Sequence, residues 1–243
     1  MSLKRNTSLN RPSCLLLDLD NTIYEYAPAH QAGLDAASTA AGELLNITDK
    51  DFRQALDSAR EEIKRRLGKV AASHSRLLYF QRLIERLGLS SQVASALQIE
   101  QAYWGAFLSA AEIYPEVYEF LDDLRLLGIP VVIVTDLTAD IQFRKVLYWK
   151  LDRYIDWIVT SEEAGADKPA AKIYEIALAK LGGVEGEIWM VGDNPETDIA
   201  GAKAAVSAVG FQMMNRGYAR NDEADFHIQH FGELRQMLQN TQS

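Results

Sequence analysis

A single cysteine, Cys14, stands in the 243 residues, so no intrachain disulfide can staple the fold. It lies in an apolar run, which marks it as a core thiol, and such sparse use of cysteine suits a reducing compartment. Long hydrophobic runs are missing as well. No stretch of about 18 consecutive apolar residues occurs, which argues against a membrane-crossing helix. The polar opening from Met1 to Arg11 has no apolar secretory stretch, so a cytoplasmic location is expected. Positive charge is in deficit too, with 25 Lys and Arg against 34 Asp and Glu for a net charge of −9. Broad nucleic-acid affinity is therefore not expected, because such binding rests on neutralising phosphates with basic side chains. None of this fixes an oligomeric state.

What is present is enough apolar material, 48% of residues, to bury a sizeable core. Four apolar runs end in a polar residue or a turn signal: Cys14 to Leu17, Val131 to Val134, Ile158 with Val159, and Ile188 to Val191. They read as buried strands. Helical spacing fills the intervals, as in Glu116 to Leu127 and Ile173 to Leu181. Strands alternating with helices predict an α/β fold with a doubly wound parallel sheet.

Asp18 and Val131 stand 113 positions apart, whereas a whole βαβ unit needs only about 30 residues. Something is inserted. Phe52, Ala55, Leu56, Ala59, Ile63 and Leu67 form one apolar stripe and Leu77, Phe80, Ile84 and Leu87 another, with Gly68 and Gly88 placed as C-terminal caps. The expected division is a core of residues 1–24 and 111–243 and a helical cap of residues 25–110. Between Arg53 and Arg86 nine basic residues face four acidic ones. That local surplus is either a set of solvated helix faces or a surface that receives an anionic substrate.

Ligands of open α/β sheets bind beyond the carboxyl ends of the strands. There the sequence places Asp18-Leu19-Asp20-Asn21-Thr22, Thr135-Asp136, and Gly192-Asp193 through Asp198, with Lys168-Pro169 opening a helix between the third and last runs. Carboxylates converging in one pocket need a cation, and magnesium favours oxygen ligands shared with substrate phosphate. No Cys or His cluster has zinc spacing. Phosphoryl transfer suits this set. Asp18 can attack phosphorus, Asp20 can serve as acid and then base, Thr22, Thr135 and nearby backbone N–H groups can bind phosphate oxygens, and Lys168 can balance charge. In the insert, His74 and Arg76 lead the substrate-contact candidates, ahead of Lys64, Tyr79 and Arg82. Tyr103, Trp104 and Phe107 read as packing residues, and His227 and His230 as remote from the chemistry.

Taken in order, the Asp18–Thr22 segment, Thr135, Lys168-Pro169 and Gly192-Asp193 through Asp198 resemble the four motifs of the haloacid dehalogenase superfamily, over nearly the whole chain. The helical insert after the first motif is similar to that superfamily's type I cap. The resemblance implies a phosphatase acting on a small phosphomonoester, such as a nucleoside monophosphate or sugar phosphate. It implies magnesium held by the Asp18 carboxylate, the Asp20 main-chain oxygen and Asp193, with Asp198 supporting from behind. Asp20 favours the phosphatase branch, since a halide leaving group needs no proton, so a dehalogenase or a phosphomutase ranks lower. Asp136 stands where relatives commonly carry Asn, which places it among the phosphate-binding positions yet weakens anion binding unless it points away or is paired. Two non-enzymatic alternatives stay open: a phospho-acceptor module, disfavoured by the insert and by the lack of an acidic pair before Cys14, and a sensor of a phosphorylated ligand.

Overall fold

The computed structural model describes residues 9–214 and 218–241. Most of the polar stretch that opens the chain, residues 1–8, lies outside them. Six strands form one fully parallel sheet: β1 (Pro12–Leu17), β2 (Val131–Thr135), β3 (Trp157–Thr160), β4 (Glu187–Gly192), β5 (Val209–Met213) and β6 (Phe226–Ile228). Their spatial order is β3-β2-β1-β4-β5-β6, so β1 is central and the sheet winds outward from it in both directions. All four expected strands are present.

Alternation along β1 divides the interior. Leu15 and Leu17 join the hydrophobic cluster on one face, and Cys14 and Leu16 join the cluster on the other, as the two-residue period of a strand demands. The chain between β1 and β2 forms α1 (Tyr26–Leu45), α2 (Asp49–Leu67), α3 (Arg76–Arg86), α4 (Val93–Ala110) and α5 (Pro115–Leu126). Both apolar stripes of the insert are helices. Thr48 caps α2 by accepting from the Asp51 N–H at 3.2 Å, acidic Asp49 and Asp51 open it, and Lys64, Arg65 and Arg66 close it, all in favour of the helix dipole. Helices α1 and α4 pack tightly at Gly33, where a Cβ would stand 2.9 Å from the Tyr103 ring.

Beyond β2 come α6 (Ala139–Tyr148), the short α7 (Ser161–Ala164), α8 (Ala171–Lys180), α9 (Gly201–Val206) and α10 (Phe231–Gln239). One expectation needs correcting: Lys168-Pro169 does not open a helix, because α8 begins at Ala171 after an extended Ala170. The two residues sit in the preceding loop, which frees the Lys168 side chain to turn under the sheet edge. Among the described residues no helix is long and apolar enough to cross a membrane.

Candidate active site

Asp18 follows the last residue of β1, and its N–H donates to the Val191 carbonyl of β4 at 3.0 Å. Leu17 pairs with Ile133 on one side and Val191 on the other, so the chain leaving β1 emerges between Thr135 of β2 and Asp193 after β4. Register alone thus brings Asp18, Thr135 and Asp193 together. Lys168 comes from the far loop, with its Nζ 2.7 Å from Asp18 Oδ1, 2.7 Å from Asp198 Oδ1 and 3.2 Å from the Val134 carbonyl. Asp198 is returned to the site by a π-helical segment over Pro195–Ala200, capped by the Asn194 side chain, and its Oδ2 accepts from the Asn194 N–H at 3.0 Å. Gly192 makes the return possible: a Cβ there would lie 2.4 Å from the Asp198 carboxylate.

Asp18, Asp193 and Asp198 each offer an oxygen within 4.8 Å of the others, and all three are buried. Burial pushes the Asp18 carboxyl well above the usual carboxylate range; Lys168 pulls it back, while Asp198 and Asp193 push it further up. Lys168 has the mirror-image balance: burial opposes its charge, but Asp18, Asp198 and Asp136 hold the ammonium well above its ordinary value. Among the described residues Lys168 is the cation that contacts the Asp18 and Asp198 carboxylates. An all-oxygen donor set of this kind fits a hard divalent cation, and the crowded carboxylates gain most from one.

Each expected position has a defined place. The buried Thr22 hydroxyl donates to Asp18 Oδ2 at 2.7 Å, so it orients the nucleophile candidate rather than facing the cavity. Thr135, Asp136 and Lys168 line the cavity. Asp136 is paired, as the charge argument required: its Oδ1 accepts from the Lys168 N–H at 2.9 Å. Burial raises the Asp136 carboxyl, against the pull of Lys168. In the insert, His74 Nε2 lies 3.1 Å from Asp167 Oδ2, and the Arg76 guanidinium donates to the His74 carbonyl at 2.7 Å and to the Tyr26 hydroxyl. Both line the same cavity, of about 830 Å³, between the insert and the sheet edge. His227 Nε2 donates to the Asn221 carbonyl and His230 pairs with Glu233, away from this cavity.

Residues that motif reading passed over surround Asp20. Lys145 and Gln142 on α6 and Tyr24 just after the first motif all reach its carboxylate. Burial raises the Asp20 carboxyl, but the Lys145 ammonium outweighs it, aided by hydrogen bonds from Tyr24 and Gln142, and the group ends below its ordinary value. Gln142 also reaches the Thr135 hydroxyl at 2.8 Å and so ties the first two motifs together. The one available signal was polar residues at the three-residue spacing of a single helix face, beside apolar Ile141 and Val146. Asn21 adds a further link, donating to Asp193 Oδ2 at 2.6 Å.

A parallel sheet wound outward from a central strand, with Asp, Thr, Lys and Asp motifs at its carboxyl edge, matches the haloacid dehalogenase-like hydrolase family over residues 12–205, and the chain belongs to that family. Within it, the chain is a phosphatase. It is 37% identical to ribulose-1,5-bisphosphate 5-phosphatase of Halopiger xanaduensis over 236 residues, which cover 93% of this chain and 99% of that one. It is 28% identical to glyceraldehyde 3-phosphate phosphatase of Methanopyrus kandleri over 195 residues, 79% of each chain. The 2-haloacid dehalogenase of Pseudomonas syringae pv. Tomato shares the fold, with a TM-score of 0.76 at 21% identity over 94% of this chain and 98% of that one.

Proposed function

We propose that the chain is a magnesium-dependent phosphatase of small phosphorylated sugars, with Asp18 as nucleophile and residues 25–110 acting as a cap over a core of residues 1–24 and 111–243. The observation that carries the reading is the Asp18, Lys168, Asp193 and Asp198 cluster at the floor of the cavity. The carboxylates of Asp18 and Asp193 and the main-chain oxygen of Asp20 would hold the ion, with Asp198 supporting the site. When bound, magnesium supplies the positive charge that keeps the crowded carboxylates ionised and neutralises phosphoryl oxygens.

The Asp18 carboxylate attacks phosphorus and the P–O bond to the sugar breaks, leaving an aspartyl-phosphate and a sugar alkoxide that takes a proton from Asp20. Asp20 then accepts a proton from a water that attacks the same phosphorus, releasing inorganic phosphate and restoring Asp18. Thr22 holds Asp18 in line, and the Thr135 hydroxyl and Lys168 ammonium receive phosphoryl oxygens. In the arrangement described, Asp20 is anionic against Lys145. Swinging its carboxylate away from Lys145 toward a phosphate dianion raises its proton affinity and readies it to be the acid. The sugar preference draws on the two phosphatase relatives, whose names both specify phosphorylated sugars.

The test is phosphate release from a panel of sugar phosphates and nucleoside monophosphates with magnesium, with EDTA, and after readdition of the metal. Sugar phosphates are expected to lead the panel, EDTA to abolish turnover and magnesium to restore it. Asp18→Asn should lose at least about 1,000-fold in kcat. Turnover by that variant at the wild-type rate would remove Asp18 from the nucleophile role.

A further inference from the structure

The two phosphatase relatives differ in what they act on: one name specifies a sugar with two phosphates, the other a sugar with one. The insert side of the cavity bears on that difference. Arg60 and Lys64, four apart on α2, and Arg76 at the start of α3 all line it. Among the described residues none of the three forms a salt bridge; Arg53, Arg82 and Arg86 are matched by Asp35 and Asp49, by Glu62 and Glu85, and by Glu62, while the other unmatched insert cations, Lys50, Arg65, Arg66 and Lys69, are exposed and do not line the cavity. Arg76 is held in place by hydroxyls and rings instead, with its guanidinium carbon 5.5 Å from the Tyr103 ring centre and 5.6 Å from that of Trp104.

These cations work against one another. Burial and the fields of Arg60 and Arg76 push the Lys64 ammonium below its ordinary value, and only Asp167 opposes them. Exposed Asp57 lines the same cavity, and Asp167 is already engaged by His74. Three like charges that line one cavity, none of them in a salt bridge, are arranged for an anion that arrives from outside.

Building on the phosphatase reading above, we infer that Arg60, Lys64 and Arg76 form a second anion site, which holds the non-reacting phosphate of a sugar bisphosphate while the other phosphate lies on Asp18. At about 830 Å³ the cavity has the volume of a small-molecule site, lined at its floor by Asp18 and Lys168 and on the insert side by Arg60, Lys64 and Arg76. A substrate with one phosphate fills the floor and leaves the wall uncompensated.

The test compares kcat/KM for ribulose 1,5-bisphosphate with that for ribulose 5-phosphate, with magnesium present. The wild type should prefer the bisphosphate by about 30-fold or more, and the ratio should fall below about 3 in Lys64→Gln and in Arg60→Gln, mainly through KM. Arg60 is exposed and Lys64 half-buried, so neither change opens the core, and either variant alone decides the point if the other misfolds. Equal kcat/KM for the two sugars in the wild type, or an undiminished ratio in both variants, overturns the second site while leaving the phosphatase reading intact. Release of phosphate from neither sugar, nor from any other in the panel, overturns that reading itself.

Discussion

The Lys145 ammonium meets the Asp20 carboxylate with its own side chain wholly enclosed, while Asp20 keeps 22% of its side chain exposed toward the cavity. The enclosing wall includes Trp104 and Phe107 of the insert, whose ring centres lie 5.7 and 5.4 Å from the ammonium. One lysine of the sheet's α6 is thus shared between Asp20 and the aromatic face of α4, and it positions Asp20 without lining the cavity itself. Lys145→Met should therefore lower kcat by about 10- to 100-fold and change KM by less than about threefold. Steady-state kinetics on a sugar phosphate checks this. A variant with wild-type kcat would show that Asp20 needs no such partner.

Gly192 has space for hydrogen only on the side of Asp198. Gly192→Ala should push the Asp198 carboxylate away from Lys168 and lower stability by about 2 to 4 kcal/mol, as overpacking at a buried site with a broken ion pair does. Urea denaturation gives the first value, and phosphate release should drop in parallel. A stable, fully active variant would contradict the close approach.

His30, half-buried beside Tyr103, titrates to about 4, pushed down by burial and then by Arg76 and Arg60. Its ring is neutral in the fold, so between about pH 6.5 and pH 4 the unfolded chain takes up a proton that the fold refuses. Stability then falls as pH falls through that window and recovers as pH rises above it. After allowing for solvent screening, the loss between pH 7 and pH 5 should be about 1 kcal/mol. Urea midpoints at the two pH values should differ less in His30→Gln than in the wild type; an identical difference would rule His30 out as the source.

Burial pushes the Cys14 thiol up to about 12, and the side chain has no solvent exposure. A thiol reagent at pH 8 should find no reactive group in the native protein and one per chain in denaturant. Rapid labelling of the native state would mean that β1 opens far more readily than its place in the sheet implies.

The place of the candidate site was legible wherever a polar residue follows an apolar run, because a parallel sheet delivers every strand end to the same edge. Asp18, Thr135 and Asp193 were readable for that reason. Lys168 was readable by its place in the motif order, though it lies in the loop before α8 and not at the helix start that the sequence predicts. Lys145 and Gln142 were not, since on α6 they occupy positions that periodicity assigns to polar surface, and only tertiary packing buries them. Helices α2 and α3 announced themselves through sharp apolar stripes. Helix α1, rich in alanine over Tyr26–Leu45, and α4, apolar on several sides, offer little contrast between faces and were covered only by the general expectation of a helical insert. Strand β5 interrupts its apolar run with Gln212, and β6 has three residues, too short for any pattern to emerge.

Because Leu15–Leu17 of β1 pair with both β2 and β4, the end of the strand that leads to Asp18 has no open edge from which exchange with deuterium could begin. The segment that delivers Asp18 should be among the last to lose protection as the molecule breathes. The Asp18 carboxylate would thereby be anchored to a slow-opening part of the chain, and the helices of the insert could fluctuate on a faster clock without disturbing its aim.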